Sequence, residues 1–392
     1  MTVPPPLRVA IVAGEESGDL LGADLVAALQ RRTGRRLELA GVGGRHLAAQ
    51  GLRSLFDGSE IALMGFSAVV TRLPLLMRRI RQTAEAIVAF RPDVIVTVDS
   101  PAFGLRVAER VKARLPYVRA VHYVCPSVWA WAPQRAAKMA AYVDHVLCLL
   151  PFEPAALANL KGPPGTFVGH RLTRDPQIAD AAAQQSARHL RQSEGRRTLM
   201  VLPGSRRSEV RGLIAPFGET VSILRARGHD FDCVIPTVPH VAAAVREAVS
   251  AWPVVPEVVE GPEAKVAAFA RADAAIAASG TVTLELALAG VPLVSCYRLD
   301  PLARLAQRLV TVWSASLPNL VADWPIVTEY YNEHIRPQHM ARAIEQLWRD
   351  TPARRAQLQG FEQVRRALRT ERPSGDIAAD VIAGLLPPAP AA

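Results

Sequence analysis

Apolar residues fall along this chain in short blocks that alternate with amphipathic stretches. Residues 7–13 (LRVAIVA) form a β-branched run that stops at Gly14, the mark of a buried first strand. Over 18–32 the spacing changes, and Leu21, Leu25 and Leu29 share one helical face. A second strand is predicted over 37–42, leading into the turn-rich GVGG at 41–44. A helix over 72–90, a strand at 93–98 (DVIVTV), a helix at 102–114 and strands at 118–124 and 144–149 continue the rhythm. Strand followed by helix, repeated, predicts a parallel α/β sheet covered on both faces.

The pattern breaks near residue 170. Residues 161–165 (KGPPG) are turn formers, and 174–197 are polar and alanine-rich. A fresh series then opens with a strand at 198–202. Strands near 232–236, 255–259, 274–277 and 292–296 follow, interleaved with helices at 209–227, 240–251, 263–271 and 281–289. The division expected is 1–170, 171–365, and a C-terminal helix and tail over 366–392, with the tail after 384 (GLLPPAPAA) fraying. Two α/β domains facing a cleft would bind ligands beyond the carboxyl ends of their strands.

The length of 392 residues suits two domains, and with half the residues hydrophobic each can bury a core. The formal charge of +10 comes almost wholly from arginine. It fits phosphorylated substrates, an anionic membrane surface, or a general preference for arginine. Nucleic acid is set aside, because no basic stripe with interleaved aromatics occurs. Cys125, Cys148, Cys233 and Cys296 include no C-x-x-C pair, so neither a zinc nor a redox site is expected, and a reducing cytoplasm fits. The opening MTVPPPLRVAIVAG lacks the basic start of a signal peptide. No apolar run reaches the roughly 18 residues of a membrane span, so any membrane contact would be peripheral.

Several turns carry candidate chemistry. In LPGSRRSEV (202–210) a strand runs through Gly204 and Ser205 into a helix. Its free amides would attract an anion, and Arg206 adds a guanidinium fork suited to phosphate. In ASGTVTLELALAGVP (278–292) a second helix opens at Ser279-Gly280-Thr281, with Glu285 placed to clamp a ribose; alternatively Thr281 caps and Glu285 is merely exposed. Asp99, ending a very apolar strand, could act as general base on a sugar hydroxyl or could cap the next helix. The AGEESGD turn has neither G-x-G-x-x-G nor a Walker lysine, which weakens dinucleotide and ATP readings. Glu15 and Ser17 there would meet the hydroxyls of a sugar acceptor. Segment 61–81 mixes Leu63, Met64, Phe66, Val69, Val70, Leu73 and Leu76 with arginines, as a membrane-surface segment or a core helix would. Pro74 argues against one continuous helix. In HYVCPSVWAWAP (122–133) the tryptophans could pack on a sugar or staple the loop, and His122 could be catalytic or structural.

AGEESGD, LMGF, RPDVIVTVDSPAF, HYVCPSVWAW, LPFEP, VGHRL, LPGSRRSEV, ASGTVTLE and SLPNLVA occur in this order between residues 13 and 322. Together they resemble the lipid-A-disaccharide synthases, glycosyltransferase family 19. The resemblance implies a GT-B fold of two Rossmann-like domains and an inverting transfer that needs no metal or cofactor. The donor would be UDP-2,3-diacylglucosamine and the acceptor 2,3-diacylglucosamine-1-phosphate (lipid X), giving the β-1,6-linked disaccharide 1-phosphate and UDP. By the same resemblance Asp99 is the candidate base. Arg206, Ser279, Gly280, Thr281, Glu285 and Asn319 are the candidate UDP contacts, and 63–76 meets acyl chains or the cytoplasmic face of the inner membrane. The family's C-terminal helices return to the N-terminal domain and can exchange in a homodimer. Cys125 departs from the serine expected in many relatives. A UDP-N-acetylglucosamine 2-epimerase is the alternative reading, sharing the fold without a lipid substrate. A nicotinamide-dependent oxidoreductase is disfavoured by the missing glycine fingerprint.

Overall fold

Every apolar run read as a strand pairs in parallel with its neighbours. In the computed structural model, which describes residues 5–61, 66–190, 196–299 and 310–387, the chain divides into two units. The first is Met1–His170 with Thr370–Ala392, and the second is Arg171–Arg369.

The first unit holds strands β1 (Leu7–Ala13), β2 (Leu37–Val42), β3 (Val94–Val98), β4 (Arg119–Tyr123), β5 (His145–Cys148) and β6 (Gly165–Phe167), in the spatial order β2-β1-β3-β4-β5-β6. All five residues of β3 are buried. That requires helices on both faces, and it explains why the strand reads as a continuous apolar run rather than an alternation. Helix α1 (Glu16–Thr33) lies on one side of the sheet. Helix α2 (Arg45–Ala49) follows β2, while α3 (Phe66–Phe90) and α4 (Pro101–Arg114) cover the other side. Two short helices, α5 (Gln134–Met139) and α6 (Glu153–Asn159), follow β4 and β5.

Helix α3 runs unbroken through Pro74, against the expectation of a break. Pro74 is exposed, so water can serve the carbonyl that the missing N–H leaves without a donor. Leu76, Ile80, Ala84 and Ile87 recur at three- and four-residue spacing and pack on Ala10, Val12, Val42 and Phe103. Leu76 is only 3% exposed, so its expected lipid contact gives way to a place in the core, whereas Leu73 is 43% exposed. Leu63 and Met64 lie outside the described residues, as do the side chains of Phe66, Val69 and Val70.

The second unit begins with α7 (Pro176–Leu190), the stretch that sequence read only as polar and alanine-rich. Its buried Gln185 donates to the carbonyls of Phe269 (2.6 Å) and Ala272 (2.7 Å), and Arg188 pairs with Asp273 at 2.8 Å. Then come β7 (Arg197–Leu202), α8 (Arg207–Ala226), β8 (Phe231–Thr237), α9 (Pro239–Val249), β9 (Glu257–Glu260) and α10 (Pro262–Arg271). They are followed by β10 (Ala274–Ala278), α11 (Thr281–Ala289), β11 (Leu293–Tyr297), α12 (Leu317–Ala322), β12 (Thr328–Tyr331), α13 (Pro337–Leu347) and α14 (Pro352–Leu368). The sheet order is β12-β11-β10-β7-β8-β9.

The last described helix, α15 (Ser374–Leu385), packs along α1 in the first unit. Ala378, Ala379 and Ile382 join the core that contains β1, while Arg31–Asp376 (2.9 Å) and Arg32–Asp380 ion pairs line the rim. Exposed pairs of this kind are each worth at most about 1 kcal/mol, so apolar burial holds the helix in place. Residues 388–392, most of the tail expected to fray, lie outside the described residues.

The burial of Leu76 has a measurable consequence. Leu76→Ala should lower the unfolding free energy by about 2–4 kcal/mol in a denaturant titration. A loss below about 0.5 kcal/mol would show instead that the side chain faces solvent or lipid.

Candidate active site at the sheet switch points

In each sheet the strand order reverses once. In the first unit the reversal lies between β1 and β3, which pair in parallel with Ala13 opposite Val98. The turns that leave these two strands, beginning at Gly14 and Asp99, therefore emerge side by side. Such a switch point is where open α/β sheets bind ligands.

Asp99 (φ 53°) and Ser100 (φ 42°) are both left-handed, although neither is glycine. Strain of this kind costs on the order of 1–3 kcal/mol per residue and gathers at functional turns. The Asp99 N–H donates to the Tyr123 carbonyl at 2.9 Å, and its carboxylate accepts from the Ser100 N–H at 2.9 Å. The N-cap of α4 is Ser100, with no side chain capping the helix. The Phe103 and Gly104 N–H groups bond to the Ser100 carbonyl, at 3.0 and 2.9 Å. The helix-cap reading of Asp99 is thereby set aside. Burial raises its pKa, and the Ser100 N–H pulls it back only in part. A carboxylate that holds its proton more readily than usual, and is not consumed by the helix, is suited to accept a proton from an alcohol.

Around Asp99 the first turn of α1 comes close, and a Cβ on Gly18 would lie 3.3 Å from the Val98 carbonyl. Glu15, Glu16 and Ser17 are exposed at this end. Asp19 serves the fold instead: its buried carboxylate accepts from the N–H groups of Gly44 (2.6 Å), His46 (2.8 Å) and Leu47 (3.2 Å), anchoring α2.

His122 is fully buried on β4, with Nδ1 2.7 Å from Thr97 Oγ1. Burial pushes its pKa down to about 3, so it stays neutral. That is the structural alternative. In the loop beyond β4, Val124 adopts φ 76°, an outlier for a β-branched residue. Trp129 staples this loop by donating to Glu153 Oε1 at 3.2 Å, whereas Trp131 is exposed beneath the Arg135 guanidinium. Glu153 also accepts from the Leu149 (3.1 Å) and Leu150 (3.0 Å) N–H groups, and burial raises its pKa to about 7. It lies within 4.8 Å of the Cys125 and Cys148 sulfurs. Three N–H donors account for its position without an ion. Sequence reading passed over Glu153 because a glutamate beside proline at a helix start looks like an exposed N-terminal acid.

In the second unit the reversal lies between β7 and β10, with Leu202 opposite Ala277. The Gly204-Ser205-Arg206 and Ser279-Gly280-Thr281 turns thus leave adjacent strands together. Each opens a helix of its own, α8 and α11. Gly204 has φ 109°, and a Cβ there would come 2.5 Å from the Glu209 side chain. Glu209 accepts from the Ser205 (3.0 Å) and Arg206 (3.2 Å) N–H groups and pairs with the Arg206 guanidinium at 2.8 Å. A carboxylate therefore already occupies the anion-attracting start of α8. The Arg206 side chain is 61% exposed, which leaves much of its fork open to solvent. At α11 the N-cap is Gly280, not Thr281, and no side chain caps the helix; a Cβ on Gly280 would meet nothing within 4 Å. The capping-box alternative for this turn fails on that geometry. Glu285 is half-buried and pairs with Lys265 at 2.7 Å.

Asn319 departs from the role expected of it. It is fully buried, and its amide is spent inside the unit. Nδ2 donates to the Val327 carbonyl and to Glu329, both at 3.0 Å, and Oδ1 accepts from the Ile326 (3.0 Å) and Val327 (2.7 Å) N–H groups. With its amide donors and acceptor engaged in this way, it positions its neighbours rather than meeting a nucleotide directly.

Two Rossmann-like parallel sheets in one chain, each with polar turns at its switch point, define a protein of the GT-B fold class. Among solved structures the chain is similar to the UDP-GlcNAc 2-epimerase of Neisseria meningitidis bound to UDP-GlcNAc, with a TM-score of 0.59 and 13% identity over 96% of this chain and 99% of that one. It is likewise similar to MurG of Acinetobacter baumannii, with a TM-score of 0.55 and 14% identity over 97% and 100%. At such identities the likeness speaks for the fold alone. A family model described as Lipid-A-disaccharide synthetase matches residues 9–380. The lipid-A-disaccharide synthase of Nitrobacter winogradskyi is 46% identical over 380 residues, covering 96% of this chain and 95% of that protein. That of Rhodopseudomonas palustris strain HaA2 is 47% identical over 382 residues, covering 97% and 96%. The chain belongs to the lipid-A-disaccharide synthase family: it is a glycosyltransferase of lipid A biosynthesis, and the epimerase alternative is not favoured.

The neutral state of His122 gives stability a particular pH dependence. The folded chain protonates it only near pH 3, while the unfolded chain does so near 6.5. Its contribution is present above about pH 6.5 and is lost progressively as pH falls. In urea unfolding at pH 7 and at pH 5, wild type should lose about 2 kcal/mol more than His122→Asn. Equal losses would mean that His122 titrates normally.

Proposed function

We propose that the chain transfers the acylated glucosamine of UDP-2,3-diacylglucosamine to the 6-hydroxyl of lipid X. The oxygen of that hydroxyl bonds to the donor's anomeric carbon as the bond to UDP breaks, with inversion, and its proton passes to Asp99. Negative charge gathers on the departing diphosphate. The open amides of α11 and the exposed part of the Arg206 fork supply fixed positive ends for it, so this reading calls for no metal or cofactor. Glu285 is assigned to the ribose hydroxyls, which requires it to share or leave Lys265. Glu15 and Ser17, exposed beside the Asp99 turn, are assigned to the acceptor sugar. The observation that carries the reading is the emergence of two helix starts from adjacent strands β7 and β10, one of them uncapped and unobstructed.

In this proposal the enzyme works at the cytoplasmic face of the inner membrane, where acylated substrates would be reached. Among the described residues no helix is long and apolar enough to cross a membrane. Leu73 and Met77, exposed on α3 and continuous in sequence with the apolar 63–70 and with Arg72, form the docking segment in this proposal. A homodimer that exchanges C-terminal helices would reuse the α1 face that α15 covers within one chain.

Four measurements test the proposal. Asp99→Asn should lower kcat by about 10²–10⁴-fold with UDP affinity intact. Wild-type kcat should fall on the acid side at a pH above the ordinary carboxylate range, since burial raises the Asp99 pKa; near-normal turnover by the variant would remove Asp99 as base. Arg206→Ala should weaken UDP binding about tenfold by calorimetry, a modest loss because the side chain is largely exposed. Replacing Phe66 and Leu73 by Ser should abolish co-sedimentation with anionic vesicles, and undiminished sedimentation would exclude this segment as the anchor.

A further inference from the structure

We infer that Glu329 is the positioning residue that sets the geometry of the Ser279-Gly280-Thr281 turn, acting through the loop before α12; the inference rests on that turn holding the diphosphate of UDP. Glu329 lies on the edge strand β12, opposite Ser295 of β11. Four donors converge on its carboxylate: Ser314 Oγ (2.6 Å), the Ala315 N–H (3.0 Å), Asn319 Nδ2 (3.0 Å) and the Tyr331 hydroxyl (2.7 Å). The Ala315 N–H is shared with the Tyr331 oxygen, also at 3.0 Å. Burial, and then the bond to Glu329, raise the Tyr331 pKa, which keeps that hydroxyl a donor. The loop so gathered is itself tight, with the Ser316 N–H bonded to Ser314 Oγ at 3.1 Å.

The other side of Ala315 faces the site. Its carbonyl accepts from Ser279 Oγ at 2.7 Å, while the Ser279 N–H bonds to the Cys296 carbonyl at 2.8 Å. Ser279 immediately precedes Gly280, the uncapped start of α11. One residue therefore links the two: the Ala315 N–H is held by Glu329 and Tyr331, and the Ala315 carbonyl, in the next peptide unit, holds Ser279. Asn319 belongs to the same assembly, which gives the asparagine of SLPNLVA an indirect role in place of a nucleotide contact. The carboxylate is the right group for the position. Four donors need an acceptor with about four lone-pair sites, and an amide would turn two N–H bonds toward those donors.

The test compares Glu329→Gln, Ser314→Ala and Arg206→Ala in the full chain, by UDP calorimetry and by steady-state kinetics with the two acylated substrates. Glu329→Gln should weaken UDP binding and raise the donor KM by about tenfold, with kcat changing less than threefold and the circular dichroism of the fold retained. Ser314→Ala, which removes one donor and leaves the carboxylate charged, should weaken UDP by about two- to fivefold. If Glu329→Gln does not fold, Ser314→Ala and Tyr331→Phe decide by the same affinity readout. UDP affinity within about 1.5-fold of wild type in the folded Glu329 and Ser314 variants, whatever their melting temperatures, overturns the inference. If Arg206→Ala still weakens UDP in that case, the positioning role alone is lost. If Arg206→Ala is also without effect, the diphosphate assignment falls with it.

Discussion

Parallel strands that are neighbours in space but not in the chain impose the constraint from which the site follows. A helix must leave the carboxyl end of each, and right-handed crossovers send the two helices to opposite faces of the sheet. Between β1 and β3, and again between β7 and β10, the turns are left standing together with their polar backbone directed away from the core. Everything chemical assigned to this chain is attached to one of these two places. A one-residue shift of either strand would send every side chain to the opposite face, where it is packed against different helices, so the positions of Asp99 and Arg206 are held by the apolar register beneath them.

Much of this was visible in the residues. Most of the ten runs read as strands are central strands whose burial on both faces excludes polar positions; the edge strands β2 and β9 are only partly buried and were legible from Leu37, Leu39, Val258 and Val259 alone. The two strands that escaped notice are the short edge strands β6 and β12: Gly165–Phe167 and Thr328–Tyr331 are largely half-buried and carry no apolar run. Helix α7 hid behind alanines and glutamines, one of which, Gln185, is buried because it meets carbonyls at the end of α10. Proline at 74 suggested a break, which exposure to water made unnecessary.

The candidate site was legible in its turns and illegible in its supports. A glycine or serine between a strand and a helix announces itself by spacing. Nothing in the spacing of Glu209, Glu153 or Glu329 tells that one sits on the start of α8, one clasps a tryptophan loop, and one gathers four donors. Glu209 takes its donors from Ser205 and Arg206 just before it, Glu153 from Leu149 and Leu150 as well as from the distant Trp129, and Glu329 from Ser314, Ala315 and Asn319 in the preceding loop. Asn319 shows the converse case, a motif residue whose position is informative while its direct contacts are with its own backbone surroundings. The contacts of Trp129 to Glu153 and of Ser314 and Ala315 to Glu329 depend on the completed fold, and the local sequence carries no period that records them.

The placement of α15 bears on how the polypeptide is made. The face of α1 that it covers is exposed as soon as the first unit leaves the ribosome, and its cover is encoded after the whole of Arg171–Arg369. During synthesis the second unit can close around its own sheet before the first is finished, because domains emerging from the ribosome fold as units. The nascent chain must therefore carry that apolar face uncovered through most of its translation, until the final helix arrives.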